Sequence, residues 1–185
     1  GRWSHWSNPL QFTAGAPATP VMQDLLLTEV MYNPLPWGNT PGDELEFIEL
    51  VNQSNRTVSL GGLRVTGGIE YAFPANSIIG PNKTLVLAKD GRAFARRYGF
   101  NAFGAYDSKL GNSGDIIQVV DAWGRSVLKV EYSDKAPWPL DADGKGYSLI
   151  YSPALGAPAN GASWRRSLSI GGSPGGPEPV SIVIN

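Results

Sequence analysis

The stretch that most constrains the fold of this chain is residues 44–65, ELEFIELVNQSNRTVSLGGLRV. An apolar run at residues 45–51 is followed by polar residues at 52–55, which favour a turn. A second run, broken by two glycines, then carries the apolar residues Val58, Leu60, Leu63 and Val65. Two β-rich runs joined by a polar connection are typical of a β-hairpin, which is therefore predicted here.

Alternation along the first of these runs defines two faces, because successive side chains of a strand point in opposite directions. Glu46, Ile48 and Leu50 share one face, and Phe47 and Glu49 lie on the other. The two aliphatic side chains favour the Ile48 and Leu50 face for the core. We therefore expect Leu50→Ala to cost about 2–5 kcal/mol of stability and Phe47→Ala to cost less.

The rest of the body consists of further strand-like runs and one helix. The runs lie at residues 25–31, 69–73, 78–79 and 84–89. A short helix is predicted at residues 92–98, because Asp90 is a favourable N-cap and Gly99 a favourable stop. We expect this helix to cap one end of the body. A second hairpin is predicted from its β-branched arms, at residues 115–120 and 126–132.

From residue 133 onward the chain changes to long polar loops with one short strand at residues 147–151. Trp138, Tyr147 and Trp164 are predicted to be buried anchors that hold these loops to the body. The run GGSPGGPEP at residues 171–179 has the composition of a linker.

Both ends of the chain look like pieces of neighbouring domains. Residues 3–7, WSHWS, resemble the box near the end of a fibronectin type III domain, and a tag remnant with a leader is the alternative. Residues 14–20 have the composition of a linker, and residues 180–184 resemble the strand at residues 25–28. We expect at least one end segment to pair with an exposed sheet edge.

Composition narrows the function classes. A formal net charge of −1 and 17% charged residues provide no overall field that would attract nucleic acid or an anionic membrane. No apolar run approaches the roughly 18 residues of a membrane span. The absence of cysteine implies no disulfides, and it suits either the cytosol or a bacterial exported protein.

The motif E-F-I-E-L-x-N-x-S, followed by L-x-G after five residues, resembles the opening of the lamin tail domain. The similarity extends over residues 24–132 and includes YAFP at residues 71–74 and GNSGD at residues 111–115. It implies an all-β, immunoglobulin-like β-sandwich with one short helix and a long, loop-rich C-terminal extension. Residues 134–175 look like the longer form of the domain found in bacterial exported multidomain proteins. One departure is Leu63, where nuclear lamins carry a tryptophan.

The predicted organisation has three parts. Residues 1–20 are interpreted as the end of a preceding domain plus a linker, and residues 21–175 as the lamin-tail-like sandwich with its extension. Residues 176–185 are interpreted as a linker and the first strand of a following domain.

The sequence offers little catalytic chemistry. His5 is the only histidine and cysteine is absent, which excludes Ser-His-Asp relays, Cys-His relays and the usual zinc sites. A paired-carboxylate hydrolase using Glu29, Glu46 and Glu49 is the remaining catalytic alternative. Against it, these residues are expected to be solvated strand and edge positions. We therefore predict that the chain is not an enzyme and has no catalytic residue, cofactor or metal.

Two further patterns have a structural and a functional interpretation. Asp141 and Asp143 resemble the start of a calcium loop, but the rest of that motif is missing and an Asx turn is the expected alternative.

Basic clusters occur at residues 92–97 and 165–166. Some nuclear members of the lamin tail family contact DNA, but these clusters are small and are interpreted here as surface that aids solubility.

The predicted function is a non-catalytic interaction or spacer module of a modular exported bacterial protein, secreted or at the cell surface. The alternative is a polysaccharide-binding module, with the exposed aromatics Trp37 and Trp123 as stacking platforms. The sequence identifies neither the binding residues nor the partner, which is a protein or a polysaccharide.

Overall fold

The structure, a computed structural model, describes residues 24–176. The predictions made for residues 1–20 and 180–184 lie outside these residues. Within them the chain forms one α-helix, α1 (Gly91–Tyr98), and twelve strands: β1 (Leu25–Met31), β2 (Phe47–Asn52), β3 (Val58–Ser59), β4 (Arg64–Gly67), β5 (Tyr71–Ala72), β6 (Ile78–Ile79), β7 (Thr84–Ala88), β8 (Gly104–Ala105), β9 (Gly114–Val120), β10 (Ser126–Ser133), β11 (Leu149–Tyr151) and β12 (Trp164–Arg166).

Two packed sheets confirm the predicted immunoglobulin-like β-sandwich. Across residues 24–176, one sheet has six strands in the order β12-β11-β1-β2-β7-β8, and the other has four in the order β10-β9-β4-β5. A two-stranded ribbon, β3-β6, completes the arrangement. The main core lies between the sheets and contains Ile48 and Leu50, both 0% exposed. The choice of the Ile48 and Leu50 face for the core is therefore confirmed.

The predicted hairpin at residues 44–65 is wrong. β2 pairs with β1 and β7, β3 pairs with β6, and β4 pairs with β5 and β9, so the stretch crosses from one sheet to the other. The buried Asn52 side chain directs this crossing. Its Nδ2 donates to the carbonyls of Arg56, Ile79 and Gly80, and its Oδ1 accepts hydrogen bonds from the amide and hydroxyl of Ser54.

Both predicted caps of α1 are confirmed. Asp90 accepts hydrogen bonds from the amides of Arg92 and Ala93, and Gly99 adopts a left-handed φ of 80°. The helix does not cap an end of the sandwich as expected. It covers the outward face of the six-stranded sheet, where Phe94 packs with Met31, Phe47, Val86 and Ala88 in a second buried cluster.

The second predicted hairpin is confirmed as β9 and β10, paired from Ser126 and Val120 to Ser133 and Gly114. Its turn is held by Asp121, whose Oδ1 accepts hydrogen bonds from the amides of Trp123 and Arg125. Gly124 follows with a φ of 80°, a conformation that glycine adopts without strain.

The C-terminal extension is more regular than the sequence indicated. β11 pairs with β1 and β12 pairs with β11, so the extension lengthens the six-stranded sheet at its β1 side. Trp138 and Trp164 are buried, with ring centroids 5.6 Å apart, as predicted for anchors. Tyr147 is only half-buried, and the Arg166 guanidinium lies 4.4 Å from its ring centroid. Residues 164–166, expected to lie in a polar loop, form a strand because they pair with residues 149–151.

Candidate functional site

Two of the three candidate carboxylates meet on the outward face of the six-stranded sheet. Glu29 of β1 lies directly opposite Glu49 of β2, and the same transverse row continues through Ile150 to Arg165. Glu29 is 2% exposed and Glu49 is 5% exposed. The expectation that they are solvated strand positions is therefore wrong.

A segment from the far end of the chain covers these two carboxylates. We call residues 171–176 the strap. The Ser173 amide donates to Glu29 Oε1 at 2.9 Å, and the Gly175 amide donates to Glu49 Oε2 at 2.7 Å. The Tyr98 hydroxyl fixes the start of the strap by donating to the Gly171 carbonyl at 2.7 Å. Residues 171–176, whose composition is that of a linker, thus lie on the sheet and hydrogen-bond to it.

Two side-chain hydroxyl groups also donate hydrogen bonds to Glu29 and Glu49. The Ser148 hydroxyl donates to Glu29 Oε1 at 2.5 Å, and the Thr28 hydroxyl donates to Glu49 Oε1 at 2.8 Å. Like charges directly opposite each other on neighbouring strands are destabilising, and these donors offset the repulsion. Burial raises the pKa of Glu49, while hydrogen bonds from the Gly175 amide and the Thr28 hydroxyl lower it.

A cleft of about 510 Å³ remains beside the strap. It is lined by side chains of both signs, including Glu29, Glu49, Lys83 and Arg165. Both oxygens of Glu49 accept hydrogen bonds from the protein itself. Because each oxygen already accepts a hydrogen bond from the protein, Glu49 supports the strap, and this makes it a weak candidate for a general base.

Gly172 is the position where the strap passes closest to Glu29. Its φ is +78°, and a Cβ there would collide with Glu29 Oε1 and lie 2.9 Å from the Ser148 Oγ. Gly172→Ala is therefore expected to destabilise the protein by about 1–3 kcal/mol in chemical denaturation. Gly176→Ala is the matched control, since a Cβ there has no neighbour within 4 Å. Equal stability of the two variants would show that the strap does not lie against Glu29.

The third candidate carboxylate, Glu46, is separate from this pair. It precedes β2, and alternation directs it to the face opposite Glu49. It is 1% exposed, and its Oε2 accepts a hydrogen bond from the Leu110 amide at 2.8 Å. The three glutamates therefore do not form one paired-carboxylate site.

Burial raises the pKa of Glu46 to about 7, although the Leu110 amide and the charges of Lys89 and Lys109 lower it. A folded pKa above the ordinary value means that the folded state binds the proton more tightly. This contribution to stability is fully present below about pH 4.5 and is lost as the pH rises through about 7.

Glu46→Gln is expected to remove this pH dependence, because the amide stays neutral and keeps an oxygen for the Leu110 amide. The difference corresponds to roughly 3 kcal/mol between acidic and mildly alkaline pH. Urea titrations of the wild type and the variant across this range provide the measurement. Glu44→Gln is the control and should retain the wild-type profile. A Glu46→Gln profile that falls as steeply as the wild type would refute this account of Glu46.

The two aspartates of the calcium-like pattern have partners of their own. Asp141 pairs with Lys145 at 2.7 Å and lies 3.5 Å from Arg166. The side-chain Nδ2 of Asn33 donates to Asp143 Oδ1 at 2.6 Å. Among residues 24–176, no group of three or more His, Cys, Asp or Glu side chains has a metal-binding arrangement.

The two candidate stacking tryptophans are exposed, as predicted. Trp37 is 43% exposed and Trp123 is 79% exposed. Each has an arginine near its ring, with Arg97 at 5.8 Å from the Trp37 centroid and Arg125 at 5.0 Å from that of Trp123.

The basic residues of the second cluster have different surroundings. Arg165 lines the cleft beside the strap, and Arg166 lies over the ring of Tyr147.

The family model described as Lamin Tail Domain matches residues 18–134, more than half of the chain. The chain therefore belongs to the lamin tail domain family, whose members are immunoglobulin-like and generally non-catalytic, and often mediate protein interactions. The match ends at the end of β10, so β11, β12 and the strap lie beyond it. A search of curated proteins gave no match. None of the helices within residues 24–176 is long and apolar enough to span a membrane.

Sequence reasoning identified Glu29, Glu46 and Glu49 but missed their burial and the role of the strap. No sequence signal marked the strap, because a glycine-rich run is equally typical of a flexible linker. In the structure, Gly171, Gly172 and Gly175 have positive φ values. Glycine is therefore needed here because the backbone adopts left-handed conformations and passes close to the sheet.

Proposed function

We propose that this domain is a non-catalytic interaction or spacer module of a modular exported bacterial protein, and that its partner is another protein. The observation that favours interaction is a mainly apolar surface, which we call the Trp37 surface. It is formed by Leu35, Trp37 and Ile170, together with Arg97. Lamin tail domains often mediate protein interactions, which agrees with this role.

The Trp37 surface is continuous across three parts of the chain. Leu35 and Ile170 meet at Gly146, where a Cβ would lie 3.0 Å from Leu35 Cδ1 and 2.9 Å from Ile170 Cγ2. Arg97 connects them to Trp37, because its guanidinium touches Gly171, the neighbour of Ile170, and lies over the indole. The apolar members are 40%, 43% and 57% exposed, for Leu35, Trp37 and Ile170 respectively. Clustered exposed apolar side chains are a common mark of protein-binding sites.

The exported bacterial context is supported by sequence features. The chain has no cysteine, so its stability does not depend on disulfides, and residues 14–20 have the composition of an interdomain linker. Residues 134–175 resemble the longer form of the domain in bacterial exported multidomain proteins. Secretion or display at the cell surface follows from the same resemblance.

A binding comparison between surface variants tests the interaction proposal. The wild type, Leu35→Ser/Ile170→Ser and Leu155→Ser are immobilised and exposed to secreted and surface proteins of the source organism, and bound proteins are quantified by mass spectrometry. Leu155, 58% exposed and outside the Trp37 surface, is the matched control. We expect a partner that binds the wild type and Leu155→Ser but not the double variant. Binding to the double variant as strong as to the wild type, or no partner for the wild type, would contradict the proposal.

Polysaccharide binding is the second candidate, and the 79% exposure of Trp123 favours it. Aromatic rings that project into solvent can stack on sugar rings. Affinity electrophoresis across a panel of glycans tests this function, with Trp123→Ala and Trp37→Ala as variants. Retardation that Trp123→Ala abolishes would support a glycan site at this turn. Unchanged mobility of the wild type on every glycan would eliminate it.

A further inference from the structure

One long edge of the sandwich has no partner strand within residues 24–176. The two larger sheets end at four edge strands, β12 and β8 in the six-stranded sheet and β10 and β5 in the four-stranded sheet. β12 has three residues, β8 and β5 have two each, and β10 has eight. β10 pairs with β9 on one side only. Short edge strands protect a sheet from unwanted pairing, whereas a long unpaired edge can accept another strand.

The C-terminal extension leaves space beside the end of this strand. A cleft of about 670 Å³ is lined in part by Glu131, Tyr132 and Ser133 of β10 and by Trp138 and Ala159 of the extension. No strand of the extension pairs with β10, since β11 and β12 both belong to the other sheet. The edge of β10 is therefore accessible to a partner.

The hydrogen bonding of β9 shows which residues of β10 face the free edge. The Gly68 amide donates to the Ile116 carbonyl at 2.8 Å, so Ile116 directs its backbone groups to the β4 side. Glu131 lies opposite Ile116, and the two therefore form a pair that exchanges no hydrogen bonds. The N–H and C=O of Glu131 point away from β9, and those of Lys129 do the same by alternation. Within residues 24–176, no hydrogen bond from another element reaches these four groups.

The side chains of the same two residues have opposite charges and lie on the outer face of the sheet. Lys129 Nζ is 3.9 Å from Glu131 Oε2, and the two side chains are 49% and 70% exposed. Val130, between them, is 2% exposed and belongs to the main core. An exposed ion pair of this kind contributes little stability by itself, so both charges can also interact with a partner.

We propose that β10 binds the β10 strand of a second copy of this chain, antiparallel to it, about a twofold axis that passes beside Val130. In this register Lys129 lies opposite Glu131 of the second copy, and Glu131 lies opposite its Lys129. Each of these two pairs exchanges two backbone hydrogen bonds, because all four residues direct these groups to the shared edge. The two four-stranded sheets become one continuous sheet of eight strands.

The charges favour this register over the two adjacent ones. A shift by two residues keeps the direction of the backbone groups, but it places Lys129 opposite Lys129 of the second copy, or Glu131 opposite Glu131. Like charges directly opposite each other are destabilising, whereas the proposed register surrounds each lysine with two glutamates. A bulge between Ser126 and Leu128 ends the regular edge. The shared edge is thus short, and we expect a weak, reversible dimer.

The inference does not rest on the proposed function, because the Trp37 surface shares no residue with β10. Leu35→Ser/Ile170→Ser is therefore expected to dimerise like the wild type. Loss of the dimer in that double variant, with charge variants of β10 unaffected, would place the interface at the Trp37 surface and overturn the β10 proposal.

Sedimentation equilibrium of the full chain from about 10 μM to about 1 mM provides the first measurement. We expect a monomer–dimer equilibrium that weakens as NaCl is added, because salt screens exposed charges. Lys129→Glu places four carboxylates at the centre of the interface, and Glu131→Lys places four ammonium groups there. Each change should weaken dimerisation roughly tenfold or more. Thermal unfolding first establishes that each variant folds like the wild type.

Combining the two changes tests the register. The double variant Lys129→Glu/Glu131→Lys restores opposite charges across the axis and should dimerise within about threefold of the wild type. An equimolar mixture of the two single variants should form a heterodimer, because every cross-strand pair then has opposite charges. Arg64→Glu is the matched control, since it reverses an exposed charge on β4, which has a partner strand on each side.

Hydrogen exchange locates the interface on the strand. The amides of Lys129 and Glu131 should become more protected as the protein concentration rises, whereas the Val130 amide, which faces β9, should be protected at every concentration. A chain that stays monomeric at about 1 mM and low salt would overturn the proposal. A dimer that keeps its strength in both single charge variants, or that leaves exchange at Lys129 and Glu131 independent of concentration, would overturn it as well.

Discussion

A chain ending at Asp134, where the lamin tail match stops, is expected to be unfolded, whereas a chain ending at Gly176 should fold like the full sequence. The extension contributes Trp138, Leu149 and Trp164 to the main core. Burial of each such side chain contributes about 1.5–3 kcal/mol. Their combined loss is comparable with the whole stability of a typical domain, about 5–15 kcal/mol.

The shorter chain would also lose the donors that cover the buried carboxylates. Without residues 135–176, Glu29 would lack the Ser148 hydroxyl and the Ser173 amide, and Glu49 would lack the Gly175 amide. Circular dichroism and thermal unfolding of the two truncated chains provide the measurement. A cooperative transition in the 1–134 chain close to that of the 1–176 chain would contradict an integral role for the extension.

Phe47→Ala should cost about 3–5 kcal/mol, at least as much as Leu50→Ala at about 2–5 kcal/mol. The sequence-based expectation of a smaller cost for Phe47 assumed a partly covered face. The structure corrects that assumption, because Phe47 is 0% exposed and its ring meets Phe94 and Tyr98 edge-on, with centroids 5.8 and 5.7 Å away.

Urea unfolding of both variants, with Val51→Ala as control, tests this. Val51 lies on the same outward face of β2 as Phe47 but is only half-buried, so its truncation should cost clearly less. If Phe47→Ala and Val51→Ala are equally stable, α1 does not cover this face of the sheet.

The parts of the fold that the sequence predicted are those with local causes. The caps of α1 depend on Asp90 and Gly99, which adjoin the helix. The β9-β10 hairpin depends on Asp121 and Gly124 in its own turn. The choice of the core face of β2 required only the alternation around Ile48. In each case the deciding residues lie within one turn or one strand.

The central crossing could not be predicted because its cause is distant. Asn52 looks like an ordinary turn residue, and it forms a local Asx turn with Ser54. Its side-chain Nδ2 also donates to the carbonyls of Ile79 and Gly80, 27 and 28 residues further along the chain. These contacts join the end of β2 to the β3-β6 ribbon, where the chain leaves the six-stranded sheet.

The burial of the paired glutamates was hidden for the same reason. Alternation places Glu49 on the outward face of β2, where a sandwich strand usually meets water. The strap that covers Glu29 and Glu49 comes from residues 144 and 126 positions away in sequence. A glycine-rich composition gives no sign of this placement, because the same residues suit flexible linkers and close passages.

Hydrogen exchange of the Ser173 and Gly175 amides tests the central claim, that the strap is a fixed part of the sandwich fastened to two buried carboxylates. Both amides should be strongly protected in the wild type, because each donates to a buried acceptor. Glu49→Ala should speed exchange at Gly175 much more than at Ser173. Exchange of both wild-type amides at the rate of an unstructured peptide would contradict the claim.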